Sequence, residues 1–347
     1  MSPFCGRHTR LRLMTEKHPP ISTAGAVSGG LRCRRAIATR FCALVVVALL
    51  LGSCATGTRD ARPDTKAVTP APGPQVKLLQ AGAKPRKKLR LHPKPGDKQT
   101  VDMTLKITMD IQAGEMPSQP MKMPPMKMTT EVTVKSVSHD GSITYEMVMT
   151  DASVADDPDA MPQVVEAMKS SLTGLKGLSG TGVMSNRGLN NGIEMKVPPG
   201  ADPQLRQALE QAKDAISRMA APLPEEAVGP GAIWEFKEPI KSQGMTMDQT
   251  VTYQLLSRQG ERLATKSTIV QSASNQKIQN PAMAGLQLDL TKMAGNGQGN
   301  LTFELGKILP LKATGDVHSE LSMQMDMSGQ TTTMLMKMDM NVGLEAK

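Results

Sequence analysis

The sequence predicts a mainly β fold of the α+β kind: a large curved antiparallel sheet or partly open barrel, carrying two helices and repeated once internally. Three observations lead there. From Val101 onward, apolar and polar residues alternate with period two. Turn signals separate the alternating runs. Helical spacing occurs in only two stretches.

Val101, Met103, Leu105, Ile107, Met109 and Ile111 alternate with polar residues and read as a half-buried strand. The Met- and Pro-rich segment Glu115 to Met128 reads as a loop insertion. Val132-Thr-Val134 and Ile143 to Met149 read as strands joined by His139-Asp140-Gly141, a hairpin turn. Gln163 to Leu175 is the first expected helix, with Val164, Met168, Leu172 and Leu175 on one face. The second begins with Asp202 as N-cap and Pro203 at the first turn. Leu205, Leu209, Ala212, Ile216 and Met219 continue it until Pro222 stops the run. Further strands are expected at 251–253, 263–270, 286–290, 301–305, 321–327 and 334–342.

The repeat rests on turn and strand spacing. Val132-Thr-Val134 and Gly141 match Val251-Thr-Tyr253 and Gly260, with Ser138 matching Ser257. Pro95-Gly96-Asp97 and Pro230-Gly231-Ala232 each open a strand. Gly182 to Gly188 loosely matches Gly299 to Gly306. The chain therefore divides into a leader (1–53), a linker (54–90), a β-rich first half (91–200), a helix (201–222) and a β-rich second half (223–347).

The formal net charge of +9 is unevenly placed. Residues 1–53 hold eight Lys/Arg against one acidic residue, and residues 54–90 hold nine against two. Residues 91–347 hold 24 basic against 29 acidic, so the folded part is mildly acidic. No basic stripe remains to displace counterions from a phosphate backbone, which argues against nucleic acid. All four cysteines lie at or before Cys54, so nothing beyond it can pair as a disulfide or supply thiolate to zinc.

Arg32, Arg34, Arg35 and Arg40 precede an unbroken apolar run, Ala43 to Leu51, that is too short to span a bilayer. The run ends in Leu51-Gly52-Ser53-Cys54. This arrangement resembles bacterial lipoprotein precursors. The resemblance implies cleavage before Cys54 and diacylglyceryl on its sulfur, hence anchoring to a membrane in the cell envelope. By the sorting rule of enterobacterial lipoproteins, Ala55 implies the outer membrane, facing the periplasm. The stretch before Ala43 is long for a leader, which points to a start codon downstream of Met1. Pro63, Pro70, Pro72, Pro74 and Pro85 mark residues 54–90 as an extended spacer ending in a basic cluster.

The phrase Leu223-Pro-Glu-Glu-Ala-Val-Gly-Pro-Gly-Ala-Ile-Trp234 resembles a segment of uncharacterised β-rich envelope lipoproteins. That resemblance implies an exported β domain and no particular activity. A broader analogy is to lipoprotein-carrier folds, in which a curved sheet encloses an apolar cavity.

The sequence has 27 Met and only seven aromatic residues. Met323, Met325 and Met327 alternate on one side of Ser328-Gly329-Gln330, and Met334, Met336, Met338 and Met340 on the other. An even-length hairpin loop puts all seven on one face; a three-residue loop splits them. Three readings stay open. Met can serve as ordinary core filler. It can line a deformable site for an apolar ligand, a lipid or an envelope protein partner, with Met147, Met149, Met323, Met325, Met336 and Met338 as lining residues. Or Met116, Met121, Met123, Met126 and Met128, on the expected loop, can bind Cu(I) or Ag(I) through thioether sulfur.

Gly295-x-Gly297-x-Gly299 lacks the strand-and-helix context that phosphate cradling needs and reads as a flexible turn. Asp156, Asp157 and Asp159 fit no calcium loop and read as an acidic helix N-terminus. No metalloprotease helix or nucleophile elbow occurs. The expectation is a protein that is not an enzyme and has no obligatory cofactor. The enzymatic alternative is an envelope hydrolase using Glu235 and Glu238 beside Trp234.

Overall fold

The computed structural model describes residues 74–158, 160–196, 213, 221–242, 244–278, 287–327 and 330–347. All belong to one compact unit, Val47–Lys347; the other unit, Met1–Val46, lies outside the described residues.

The alternating runs form long strands. In the first half these are β3 (Lys98–Ala113), β4 (Gln119–Val137), β5 (Ile143–Val154), β6 (Ser179–Met184) and β7 (Asn190–Met195). The second half supplies β9 (Ile233–Ser242), β10 (Met245–Gln259), β11 (Arg262–Ala273), β12 (Gln276–Ile278), β13 (Gln287–Glu304), β14 (Lys312–Met327) and β15 (Gln330–Ala346). Each half is a meander in which successive strands pair antiparallel, apart from β12, which pairs with β13 off the main path. The C-terminal β15 pairs with β3 and joins the halves into one 13-stranded antiparallel sheet. The sheet runs from edge strand β1 (Gln75–Gln80) to edge strand β7 and does not close into a barrel. Both edge strands are six residues long, which limits the unpaired backbone on offer to another chain.

One helix, α1 (Pro162–Thr173), is present among the described residues, against two expected. It buries Leu172, as its apolar spacing predicts. The second expected helix, from Asp202 to Met219, lies outside the described residues except for Lys213. The first turn of α1 has no acidic residue, so Asp156 and Asp157 do not serve a helix N-terminus; Asp159 lies outside the described residues.

Four further differences have physical causes. The folded body begins at about residue 74 rather than 91. Within the expected linker, β1 pairs with β9, β2 (Lys87–Lys88) pairs with β8 (Ala227–Val228), and Leu89 is fully buried. Proline content hid this, because an edge strand needs only half its backbone groups paired. Segment 115–128 is a turn followed by strand, not a loop. Pro124-Pro125 fall at a bulge opposite Lys106, where the ladder needs no donor. The expected strands 286–290 and 301–305 are one strand, β13, with the three alternate glycines in its middle. There, a Cβ on Gly297 would lie 2.3 Å from Asp316 O and one on Gly299 2.9 Å from Thr314 O, so the backbone of β14 leaves little room for side chains, while Gly295 is crowded by the side chains of Gln271 and Ser319.

Two places in the sheet are built alike. Gly96 N–H donates to Val134 O at 2.8 Å and Val134 N–H to Asp97 O at 2.9 Å. Gly231 N–H donates to Leu255 O at 2.7 Å and Leu255 N–H to Ala232 O at 2.9 Å. A register shift follows each, at Val134/Ser136 and Leu255/Ser257. Beyond the turns, the fully buried Ile143 and Leu263 face Met184 and Phe303 on the next strand. This geometry aligns Ser136 with Ser257, two residues from the Ser138–Ser257 match that turn spacing suggests.

Candidate ligand-binding face

Register puts one residue of every pair of neighbours on each side of the sheet. The outer side is polar and laced by cross-strand ion pairs such as Lys98–Glu131 at 3.1 Å and Lys135–Glu146 at 2.9 Å. The inner side is apolar. At one end it forms a closed core around Leu89, Trp234, Leu255, Leu263, Phe303 and Leu344. Trp234 is 0% exposed, stacks on Tyr253 with ring centroids 5.6 Å apart, and donates its indole N–H to Pro222 O at 2.8 Å. Burial raises the Tyr253 phenol well above its ordinary pKa, aided by the charge of Glu238; burial alone raises Tyr145 to about 12. Toward the other end, Met109, Ile111, Leu321, Met323, Met334 and Met336 are also buried.

Between the two ends lies a half-buried apolar belt. Its central row can be followed residue opposite residue. Val76 faces Phe236, Phe236 faces Val251, and Val251 faces Ile269. The row continues through Gly297, Val317, Met340, Ile107 and Met123. Ile269, Val317, Met340 and Ile107 are half-buried, as are the adjoining Leu105, Met126 and Met338. Solvent therefore reaches an apolar surface that is continuous across strands.

The neighbouring row on the same face is different. Glu238 faces Gln249, Gln249 faces Gln271, Gln271 faces Gly295, and Gly295 faces Ser319. The row then turns apolar: Ser319 faces Met338, which faces Met109, which faces Met121. Gln271 Nε2 donates to Gln249 Oε1 at 2.8 Å. Ser319 is 1% exposed, and its hydroxyl has no hydrogen-bond partner. Leaving such a group dry and unpaired costs about 1–3 kcal/mol.

The methionines sort by this register. Met323 pairs with Met334 and Met325 with Thr332, so Met323, Met325, Met334, Met336, Met338 and Met340 share the inner face. Met323, Met325, Met336 and Met338 lie together on β14 and β15. Met147 and Met149 do not join them. Through β4 they sit level with Gln99 and Val101, whereas Met336 sits level with Ile111, about 33 Å further along β3. Met147 belongs to the closed core, and Met149 packs with Leu178. The six do not line one concavity. Of the expected soft-metal residues, Met116 is exposed in the turn, while Met121, Met123, Met126 and Met128 project from β4 onto the inner face. Among the described residues, no group of three His, Cys, Asp or Glu is placed to hold a metal.

Glu235 and Glu238 point to opposite sides of β9. Glu235 pairs with Lys237 at 3.0 Å, and Glu238 joins the inner polar row, so they form no carboxylate pair. Cys54 lies outside the described residues. No helix among the described residues is long and apolar enough to cross a membrane.

Sequence reasoning missed two features. The first is the clamp built from the Leu223–Trp234 phrase. Glu225 holds Arg90 at 2.7 Å, Lys88 at 3.3 Å and Arg187 at 3.4 Å. The Lys88 hydrogen bond, then the Arg90 charge, hold its carboxyl below the usual range. The second is the polar row. Its signal was present as polar residues at apolar-phase positions of β9, β10, β11 and β14, but only register brings them into line. Comparison with protein-family models and with curated proteins finds no match to this chain.

Proposed function

We propose that this chain is a lipid-anchored cell-envelope protein, tethered through Cys54, that holds an apolar molecule on the inner face of its sheet and is not an enzyme. The observation that carries the binding reading is the half-buried apolar belt between two closed ends. A soluble domain rarely leaves such a surface without a partner. Methionine suits it, since unbranched thioethers adapt to ligands of varied shape. The separation of Glu235 from Glu238 weighs against the hydrolase alternative. The chain from Cys54 to Gln75 can span at most about 70 Å, enough for the body to stand off a bilayer, and Ala55 after the lipidation site supports the outer membrane facing the periplasm. The paired Gly96 and Gly231 motifs support an origin of the two halves by duplication.

Native mass spectrometry of protein purified from envelopes is expected to show a co-purifying lipid. Once stripped, the protein is expected to brighten N-phenyl-1-naphthylamine, and Met340→Asp is expected to abolish this while preserving the far-UV circular dichroism. No lipid and no probe binding would end the binding reading. Palmitate labelling that survives Cys54→Ala would end the anchoring one.

A second reading rests on the side-by-side thioethers of Met338, Met109 and Met121. Three soft ligands on adjacent strands suit Cu(I) or Ag(I). Chelator-competition titration of Ag(I), with Met109→Leu as control, tests it; equal affinity in both proteins removes it.

A further inference from the structure

The charge of the folded body is sorted by place, and this deepens the anchoring reading, on which the inference rests. We propose that the basic segment 81–94, with Lys77 and Leu79 on the edge strand before it, is a docking surface for the anionic phospholipid head groups of the bilayer to which Cys54 tethers the chain.

Three observations converge. First, the segment crosses the closed-core end of the sheet with its cations outward. Ala83 N–H donates to Pro230 O at 2.8 Å, Leu91 N–H to Asn186 O at 2.7 Å and His92 N–H to Leu305 O at 2.8 Å, all in turns at that end. Leu89 and Leu91 are buried, while Lys84, Arg86, Lys87 and Lys88 are exposed. Second, charge of one sign gathers there. Residues 74–94 hold seven Lys/Arg and no Asp/Glu, whereas residues 95–347 hold 23 basic against 29 acidic. Glu225 engages Lys88 and Arg90, but no carboxylate among the described residues pairs with Lys77, Lys84, Lys87 or Lys94. At the opposite end of the sheet, the described residues of turns 114–118 and 155–161 include Glu115, Asp156 and Asp157 and no Lys or Arg. A negatively charged surface turns such a body cations first. Third, Leu79 is 51% exposed at the bulge of β1, where it has no partner on β9. At a bilayer surface a leucine enters the interface while neighbouring lysine amines stay among the phosphates.

The occupant follows from position and chemistry. The tether holds this end of the body within about 70 Å of the bilayer even at full stretch. Each cation that reaches an anionic membrane surface strengthens binding about fivefold, so a few exposed lysines suffice for a body already held nearby. A hydrophilic polyanion would use the lysines but gain nothing from Leu79.

The test uses the mature chain from Ala55, which keeps the whole folded body and lacks the lipid. Flotation compares vesicles of phosphatidylcholine alone with vesicles containing about 30% phosphatidylglycerol. Binding to the anionic vesicles is expected to be at least tenfold tighter, and to vanish as NaCl rises from about 0.05 M to about 0.5 M. Lys84→Ala with Lys87→Ala is expected to weaken it at least tenfold. Lys266→Ala with Lys292→Ala makes the same change in net charge at exposed positions elsewhere, and is expected to leave binding unchanged. Leu79→Ser is expected to weaken binding about threefold without altering its salt dependence. Equal binding to both vesicles, equal losses in the two double variants, or full displacement by soluble polyphosphate with Leu79→Ser without effect overturns the docking surface and leaves the anchor standing. A Cys54 that takes up no palmitate removes the tether, and this proposal with it.

Discussion

Gly229→Ala should unlock the N-terminal segment from the body. The new Cβ would lie 1.8 Å from Ala83 O and 3.0 Å from Ala83 C. Ordinary contact needs roughly 3.4 Å, so one backbone must retreat by about 1.5 Å. Neither strand has a flexible side chain to give way, because the clash is with main chain. The displaced contacts are Gly229 N–H to Ala81 O at 2.9 Å, Ala83 N–H to Pro230 O at 2.8 Å, and the β2–β8 pairing. At about 0.5–1.5 kcal/mol net each, with partial exposure of Leu89 and Val228, the loss is about 3 kcal/mol. Trp234, the only tryptophan, sits five residues away and is fully buried, so its fluorescence in a urea titration reads the transition. Hydrogen exchange should show the amides of Gln75–Gln80 losing protection while the β14–β15 ladder keeps it. The control is Gly231→Ala, where a Cβ meets open space but φ is +81°. That change should cost only about 1–2 kcal/mol, the strain of a left-handed non-glycine residue. A Gly229→Ala protein within 0.5 kcal/mol of wild type, with β1 protection intact, would refute the clamp.

Three further outcomes are expected. Leu263→Ala, at a fully buried position facing Phe303, should cost about 2–5 kcal/mol in urea unfolding. Leu335→Ala, on the outer face and 45% exposed, should stay within about 0.5 kcal/mol. His318 should titrate above its ordinary value, because Asp339 Oδ1 lies 2.8 Å from Nδ1 and hydrogen-bonds the imidazolium, with help from Glu320. Its stabilisation is full below the unfolded histidine pKa and fades as pH rises through the raised folded value. NMR titration should find Asp339→Asn lowering that pKa; an unchanged midpoint would refute the pairing.

Much of the strand content was legible because period-two alternation is a local signal. Val101 to Ile111 and Met334 to Val342 could be placed residue by residue, and the hairpin at Asp140-Gly141 followed from turn chemistry. Errors arose where a local signal opposed a non-local one. Pro124-Pro125 suggested a loop, but a bulge absorbs them. Gly295, Gly297 and Gly299 suggested a turn, but they lie inside β13, where the backbone of β14 crowds Gly297 and Gly299. Proline in 63–85 suggested a spacer, but β9 supplies β1 with a partner more than 150 residues away in sequence.

By itself the sequence determined which residues share a face within an unbulged stretch of strand, since side chains alternate there whatever the partner. It also determined that Cys54 follows an export-like apolar run. Which residues stand opposite one another was decided only by tertiary structure. Register comes from pairing between distant strands, and β15 on β3 joins positions separated by most of the folded chain. That pairing separates Met147 from Met336, sets Met338 beside Met109, and draws Gln271 and Ser319 to either side of Gly295. Alternation fixes the side of the sheet, but only hydrogen bonding between strands fixes the position along it.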